Sequence, residues 1–409
     1  MTVTDTPHPE LHRHEFVALI AAIMAVNALG VDLMLPALPA IGRDLAVLGA
    51  NAQQWVVTAY IFGLGVGQLL YGPLADRYGR KPVLLSALAG FVAASLFAAT
   101  AQGFAALVAA RVLQGSLAAA SRVLSVALVR DCYSGRRMAQ TMSLAQMVFF
   151  LVPILAPTIG QGLLLIGPWR FIFYVLGGFG AAVFGWAALR LPETLPHAAR
   201  RPISLDSLGS AYRITLTDRF SVGYALAGAL TFGAIIAFVS SSEQIFVDTF
   251  HQGKRFTLLF GLCALAMSFA SFANSRLVER LGTRVISHSG IICLILLSIT
   301  HALIVWSGME TLWTFVALQA LSLVCIGLCG ANFGAMAMAA VGHVAGTASS
   351  IQGFITTLVA AAIGSAIGQS YDGTTLPLAG GYLCIGLGAI TLIWFVEGGR
   401  LFRSRLVRD

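Results

Sequence analysis

Two ionisable residues stand where an apolar chain should not carry them. Asp32 lies in the apolar run 15–38, and Arg111 lies in the run 104–129. If the first run crosses a bilayer outward to about Leu38, Asp32 is about 9 Å below the outer end. If the fourth crosses inward from Phe104, Arg111 is about 10 Å down. The two charges therefore share a depth. Burial and a neighbouring guanidinium act on a carboxyl in opposite senses, a tension that suits a group required to take up and release a proton. Ionisable residues at such depth are costly and mark transport paths. The alternative role is a permanent ion pair that only fixes packing.

A second arginine, Arg122, follows eleven positions after Arg111. Eleven steps of about 100° return to within about 20° of the same helix face. Arg122 should face where Arg111 faces, three turns deeper, either to meet an anionic or zwitterionic substrate or to hold a structural acceptor. Asn27, Tyr60, Gln114 and Asn332 are further polar residues in apolar runs. Each could line a substrate cavity, and each could equally hydrogen-bond between helices. Glu243, near the outer end of the seventh run, is a candidate second proton carrier, a binder of a cationic compound, or a solvated mouth residue. His301 is expected at an interface. The pairs Gly63/Gly67, Gly330/Gly334 and Gly364/Gly368 have the GxxxG spacing of close helix contact.

Other chemistries are absent from the sequence. Cys325 and Cys329 share a helix face but have no histidine or acid beside them, so no metal site is expected. His8, His12 and His14 fall in a polar tail that fixes no ligand geometry. There is no GxxxxGK[ST] for ATP and no HExxH or GxSxG for hydrolysis. No cofactor is expected, and the energy source is expected to be an ion gradient, protons first.

The elements that position these residues are written in the composition. Of 409 residues, 58% are hydrophobic and 10% charged, against about 25% charged in a soluble domain. A bilayer must solvate such a chain. Twelve apolar runs are long enough to span one at about 20 residues each. The net charge of +8 does not point to nucleic acid, because the basic residues sit in short clusters between runs. Arg77, Arg80, Lys81, Arg130, Arg136, Arg137 and the arginines of 190–219, 276–284 and 400–408 fall on one side. Arg43, Arg170, Lys254 and Arg255 fall on the other. The bias places both termini in the cytoplasm. The expected organisation is a tail 1–14, a six-span half 15–189, a linker 190–219, a six-span half 220–397 and a tail 398–409.

The residues GlyProLeuAlaAspArgTyrGlyArgLys, 72–81, form the most ordered local motif. Gly72 permits close helix approach, and Gly79 supplies a tight turn. Asp76, Arg77, Arg80 and Lys81 can build a charge network at the interface. LeuValGluArgLeuGlyThrArg, 277–284, echoes it after span eight. Tandem halves of this kind build secondary transporters, with substrate bound between them near the midplane.

Here the sequence resembles the major facilitator superfamily, and within it the Bcr/CflA group of drug:proton antiporters. The 72–81 segment is similar to the family's loop 2–3 signature. Asp32–Leu–Met–Leu–Pro36, Arg111–Val–Leu–Gln114–Gly115 and Pro153–Ile–Leu–Ala–Pro157–Thr–Ile–Gly160 resemble its signatures in spans one, four and five. Trp169–Arg170–Phe–Ile–Phe173, Pro192–Glu193–Thr194 and Gly346–Thr–Ala–Ser349 also fit. Arg122 departs from the pattern, which usually has a small residue there. The resemblance implies an all-α major facilitator fold of about twelve transmembrane helices in two pseudo-symmetric halves. It implies that Asp32 couples to protons or recognises a cation, with Arg111 tuning it. It implies that Gly72, Asp76, Arg77 and Arg80 latch the cytoplasmic gate, with Asp76 near the start of span eleven. Pro153, Pro157 and Gly160 would shape the helix that moves.

The expected function is proton-coupled export of small amphipathic compounds by a monomer in the cell inner (plasma) membrane, with the lipid bilayer and the substrate as its partners. An anionic or zwitterionic metabolite carrier using Arg111 and Arg122 is the second reading. A non-transporting receptor or membrane enzyme is the third.

Overall fold

A computed structural model describes residues 12–49, 51–133, 141, 152, 155–196, 200, 213–339, 341 and 345–402 of the protein. The described residues form helices and no strands. Eleven of the helices are long and apolar enough to cross a membrane. Leu155–Ile166 is a shorter apolar helix within the expected fifth span, 139–166. The remainder of that span, including Pro153, lies outside the described residues.

In chain order the first helices are α1 (Arg13–Asp32), α2 (Leu38–Asp44), α3 (Trp55–Tyr78), α4 (Arg80–Ala99) and α5 (Phe104–Cys132). Next come α6 (Leu155–Ile166), α7 (Arg170–Arg190) and a short α8 (213–217). The rest are α9 (Arg219–Gln244), α10 (Phe256–Trp306), α11 (Leu312–Ala339), α12 (Ala345–Gln369) and α13 (Leu376–Val396). Gly282, at φ 78° and ψ 160°, kinks α10. The kink divides α10 into two crossings, Phe256–Val278 and Arg280–Trp306.

The first run is not one continuous helix to Leu38. The α-helical ladder stops at Asp32, and a 3-10 turn at Leu35–Ala37 leads into α2. The cause lies four residues ahead. Residue 36 is proline, so the Asp32 carbonyl has no N–H to accept, and the ring crowds that same carbonyl. Asp32 is thereby placed at the carbonyl end of α1, at a break in the backbone.

The chain folds into two compact units. The first comprises Met1–Leu48 and Trp55–Gly209. Within it α5 packs against α1, α3 and α4, and α7 against α1 and α4. Glycines set the α3–α5 distance. A Cβ at Gly63 would strike the Val112 carbonyl, one at Gly67 the Ser116 carbonyl, and one at Gly115 the Tyr60 carbonyl. Small residues let helices approach this closely in lipid, where packing replaces the hydrophobic effect as the driving force.

The second unit comprises Gly49–Gln54 and Ser210–Asp409. Here α9 packs against α11, α12 and α13, and α10 against α11 and α13. Tyr224, Ile291, Cys329, Phe333, Met336 and Ile393 share its apolar core. The short segment Gly49–Gln54 is held by amides. Asn51 Nδ2 donates to the Gln369 and Tyr371 carbonyls at 2.8 and 2.9 Å. Gln54 Nε2 donates to Gln244 Oε1 and to the Gly368 carbonyl. Gln244 Nε2 returns a bond to Asn51 Oδ1 at 2.7 Å. Gly364 packs tightly on Ile236, whereas a Cβ at Gly330 or Gly334 would meet open space. The expectation of a helix contact at Gly330/Gly334 is thus corrected: both glycines lie on the exposed side of α11.

Candidate functional site

The site of the first unit is built around Arg111, which α5 carries on its packed face. Its side chain is fully buried. Nε donates to the Val56 carbonyl of α3 at 3.0 Å, and one terminal nitrogen to the Gly30 carbonyl of α1 at 2.8 Å. The other donates to Gln114 Oε1. Gln114 in turn donates to Ser95 Oγ of α4 at 2.7 Å. The guanidinium also lies over the Tyr60 ring at 4.3 Å and near that of Phe173 at 5.9 Å. Tyr60 donates its hydroxyl to the Asn27 carbonyl and to Asn27 Oδ1, at 3.2 and 3.3 Å. Gly30 makes room for that ring, since a Cβ there would strike the Tyr60 hydroxyl. One network therefore joins Asn27, Tyr60, Arg111 and Gln114 across α1, α3, α4 and α5.

Asp32 is beside this network but not in it. It is 6% exposed, and among the described residues it makes no hydrogen bond or ion pair. The permanent Asp32–Arg111 pair considered from the sequence does not form in this structure; the guanidinium is directed to two helix carbonyls and Gln114. What remains is a secluded carboxyl at a helix break, with no cation fixed to it. Such a group can gain and lose a proton without breaking a bond in the protein.

The helix expected to move lies directly against this break. A Cβ at Gly160 of α6 would strike the Leu33 carbonyl and then Pro36. Pro157 lies one turn earlier in the same helix and is buried. Gly162, two residues on, has nothing within 4 Å of such a Cβ. This gives a matched comparison. Gly160→Val should reduce transport by about tenfold or more, because backbone must shift at the Asp32 break, while Gly162→Val stays within about twofold of wild type. Dye efflux from cells, normalised to protein in the membrane, measures both.

Arg122 lies on the same α5 face as Arg111 but is exposed. It too has no hydrogen bond or ion pair among the described residues. Glu243 is 5% exposed near the end of α9, where the chain passes into a π-helical turn at Ile245–Thr249. Its burial excludes the solvated-mouth alternative. Asn332 takes the inter-helix role, donating to Asn274 Oδ1 at 2.8 Å and to the Leu328 carbonyl. His301 is buried and meets Glu310 Oε1 at 2.8 Å. Thr375 donates its hydroxyl to the same carboxylate.

At the arginine-rich ends of the helices the 72–81 motif forms a charge network. Gly72 sits in α3 beside Pro73, and Gly79, at φ 102°, turns the chain between α3 and α4. Arg80 is buried and pairs with Asp76 at 2.7 Å and Asp131 at 3.0 Å. Arg77 lies over the Tyr78 ring at 5.2 Å, and Lys81 Nζ donates to the Ala188 carbonyl at 2.9 Å. Glu193 accepts the backbone N–H groups of Arg80 and Lys81, satisfying donors that the start of α4 leaves free. Asp131 and the role of Glu193 were missed from the sequence. ArgAspCysTyr at 130–133 was read only as positive charge at the end of a span. The side chains at the start of span eleven, where a partner for Asp76 was expected, lie outside the described residues.

The second unit carries a counterpart. Gly282 also has positive φ, and Arg284 Nε donates to Glu397 Oε1 at 2.7 Å. Glu397 is fully buried and accepts the Tyr224 hydroxyl as well. In each unit, then, a glutamate just beyond the last helix turns back onto the loop that bears the repeated motif.

Comparison with known proteins agrees with this architecture. The Major Facilitator Superfamily profile matches residues 20–368. The chain is 32% identical over 394 residues to "Uncharacterized MFS-type transporter YdgK" of Bacillus subtilis (strain 168), covering 94% of this chain and 93% of that one. It is 28% identical over 373 residues to "Bicyclomycin resistance protein homolog" of Haemophilus influenzae, covering 89% and 91%. Among solved structures, the partially occluded inward-open xylose transporter XylE from E. coli superposes with a TM-score of 0.71 at 12% identity, over 93% of this chain and 97% of that one.

Proposed function

The chain belongs to the major facilitator superfamily, and we propose that within it this protein works as a proton-coupled exporter of small amphipathic compounds. The observation that carries this reading is Asp32: a buried carboxyl in the first unit with no hydrogen-bond or ion-pair partner among the described residues. A proton-coupled transporter needs a group that takes up and releases a proton in each cycle, and a secluded carboxyl can supply it. In the proposed cycle, substrate binds from the inside while Asp32 is ionised. Alternating access then exposes the site outward, and an external proton displaces the substrate. The basic residues put both termini in the cytoplasm, and the setting is the inner membrane. An apolar cavity with few polar groups suits a broad range of compounds. The relative described as a bicyclomycin resistance protein homolog supports a drug-like substrate.

Expression in a bacterium stripped of its own efflux pumps tests the proposal. Cells should extrude an amphipathic dye, and a protonophore should stop the extrusion at once. Extrusion that continues after the proton gradient has collapsed would overturn the coupling.

A further inference from the structure

Arg122 is a cation in the middle of a transmembrane helix, with no hydrogen bond or ion pair among the described residues. The register of α5 shows which way it points. Leu113, nine positions earlier in α5, is 49% exposed; nine steps of about 100° put it on the opposite side of the helix. Arg122 therefore points away from the face that Leu113 presents outward and along the face of the fully buried Arg111. The end of α5 at Cys132 is about 15 Å further on. An exposed group on an inward face occupies an accessible recess. The neighbours one turn away on that face are Ala118, Ala119 and Ser125, which are small and buried, and Val126, which is 43% exposed.

Among the described residues, every carboxylate of the unit except Asp32 has a basic partner. Glu15 pairs with Arg190, Asp44 with Arg170, Asp76 and Asp131 with Arg80, and Glu193 with Arg200. Asp32 is the one described acid of the first unit without a basic partner. It lies two residues from Gly30, whose carbonyl accepts from Arg111, and Arg122 is about 16 Å further along α5 than Arg111.

We infer that Arg122 is an anion-recognition residue, and that the compounds this protein carries include amphiphiles bearing a carboxylate, sulfonate or similar oxyanion. The inference rests on the exporter reading and names a substrate class for it. A guanidinium presents a planar fork of donors matched to an oxyanion, and the match strengthens where water is scarce. A zwitterion would place its anionic end at Arg122 and its cationic end toward Asp32.

The test uses the full chain in nanodiscs with three fluorescent probes: dansylglycine, its methyl ester and dansylcadaverine. Wild type should bind the acid about tenfold more tightly than the ester. Arg122→Ser should erase that preference while still binding dansylcadaverine, and Arg122→Lys should keep most of it. Equal binding of acid and ester by wild type, or a preference that survives in Arg122→Ser, would overturn the inference. So would loss of all three probes in Arg122→Ser, which would make the residue structural. The exporter reading fails on a separate readout: wild-type proteoliposomes that accumulate none of the three probes under a proton gradient.

Discussion

Replacing Asp32 by asparagine should leave a folded protein that can no longer move its substrate uphill. Asparagine keeps the shape of the side chain and removes the exchangeable charge. Because Asp32 makes no hydrogen bond or ion pair among the described residues, the substitution orphans no partner. Stability should therefore stay within about 1 kcal/mol of wild type. Gradient-driven accumulation in inverted vesicles should fall to background, while downhill equilibration of the same dye persists, since the path itself is intact. Uphill accumulation retained by Asp32→Asn would move the proton to another acid, and the buried Glu243 at the end of α9 would be the next to test.

Arg111→Leu is expected to fail in the opposite way, by loss of the fold. The guanidinium ties the α1 and α3 backbones to α5 and, through Gln114, to Ser95 of α4. Hydrogen bonds from a charged donor contribute about 1.5–3 kcal/mol each, so losing the set should cost about 3 kcal/mol or more. The Gln114 carbonyl oxygen also loses its donor in a buried site. Arg111→Lys should recover part of this, since an ammonium reaches a carbonyl but cannot bridge two helices as a fork does. Unfolding in a denaturing detergent series, read by intrinsic fluorescence, measures the difference. A wild-type midpoint for Arg111→Leu would show that the network holds nothing together. Arg122→Ser should keep the wild-type midpoint, because its donors serve no acceptor among the described residues.

The sequence reveals the crossings because lipid demands long apolar runs and positive loops, and both are local properties. It also reveals the common face of Arg111 and Arg122, because helical geometry fixes the angle between positions eleven apart. Partner choice is not local. Asp32 and Arg111 share a depth and invite a pair, yet the guanidinium binds the carbonyls of Gly30 and Val56. Every residue has a carbonyl, so no residue type announces one as an acceptor. The helix end at Asp32 was there to be read: Pro36 removes the N–H that the Asp32 carbonyl needs. Hydropathy alone carries the span past it to Leu38. The placement of Gly49–Gln54 within the second unit depends on Gln244 and on residues 368–371, two distant segments, and nothing in AlaAsnAlaGlnGln foretells it. Likewise GxxxG spacing marks glycines able to pack closely. It does not say whether a helix arrives, as one does at Gly63 and none does at Gly330.

The central claim is that substrate and proton move in opposite directions through one protein. It is tested most directly with purified wild type in proteoliposomes that enclose a pH-sensitive dye, held under an imposed proton gradient. Adding an amphipathic substrate on the cytoplasmic face should trigger proton flux down its gradient, in proportion to substrate moved and reversed in sign when the gradient is inverted. Substrate movement with no accompanying proton flux would contradict the account.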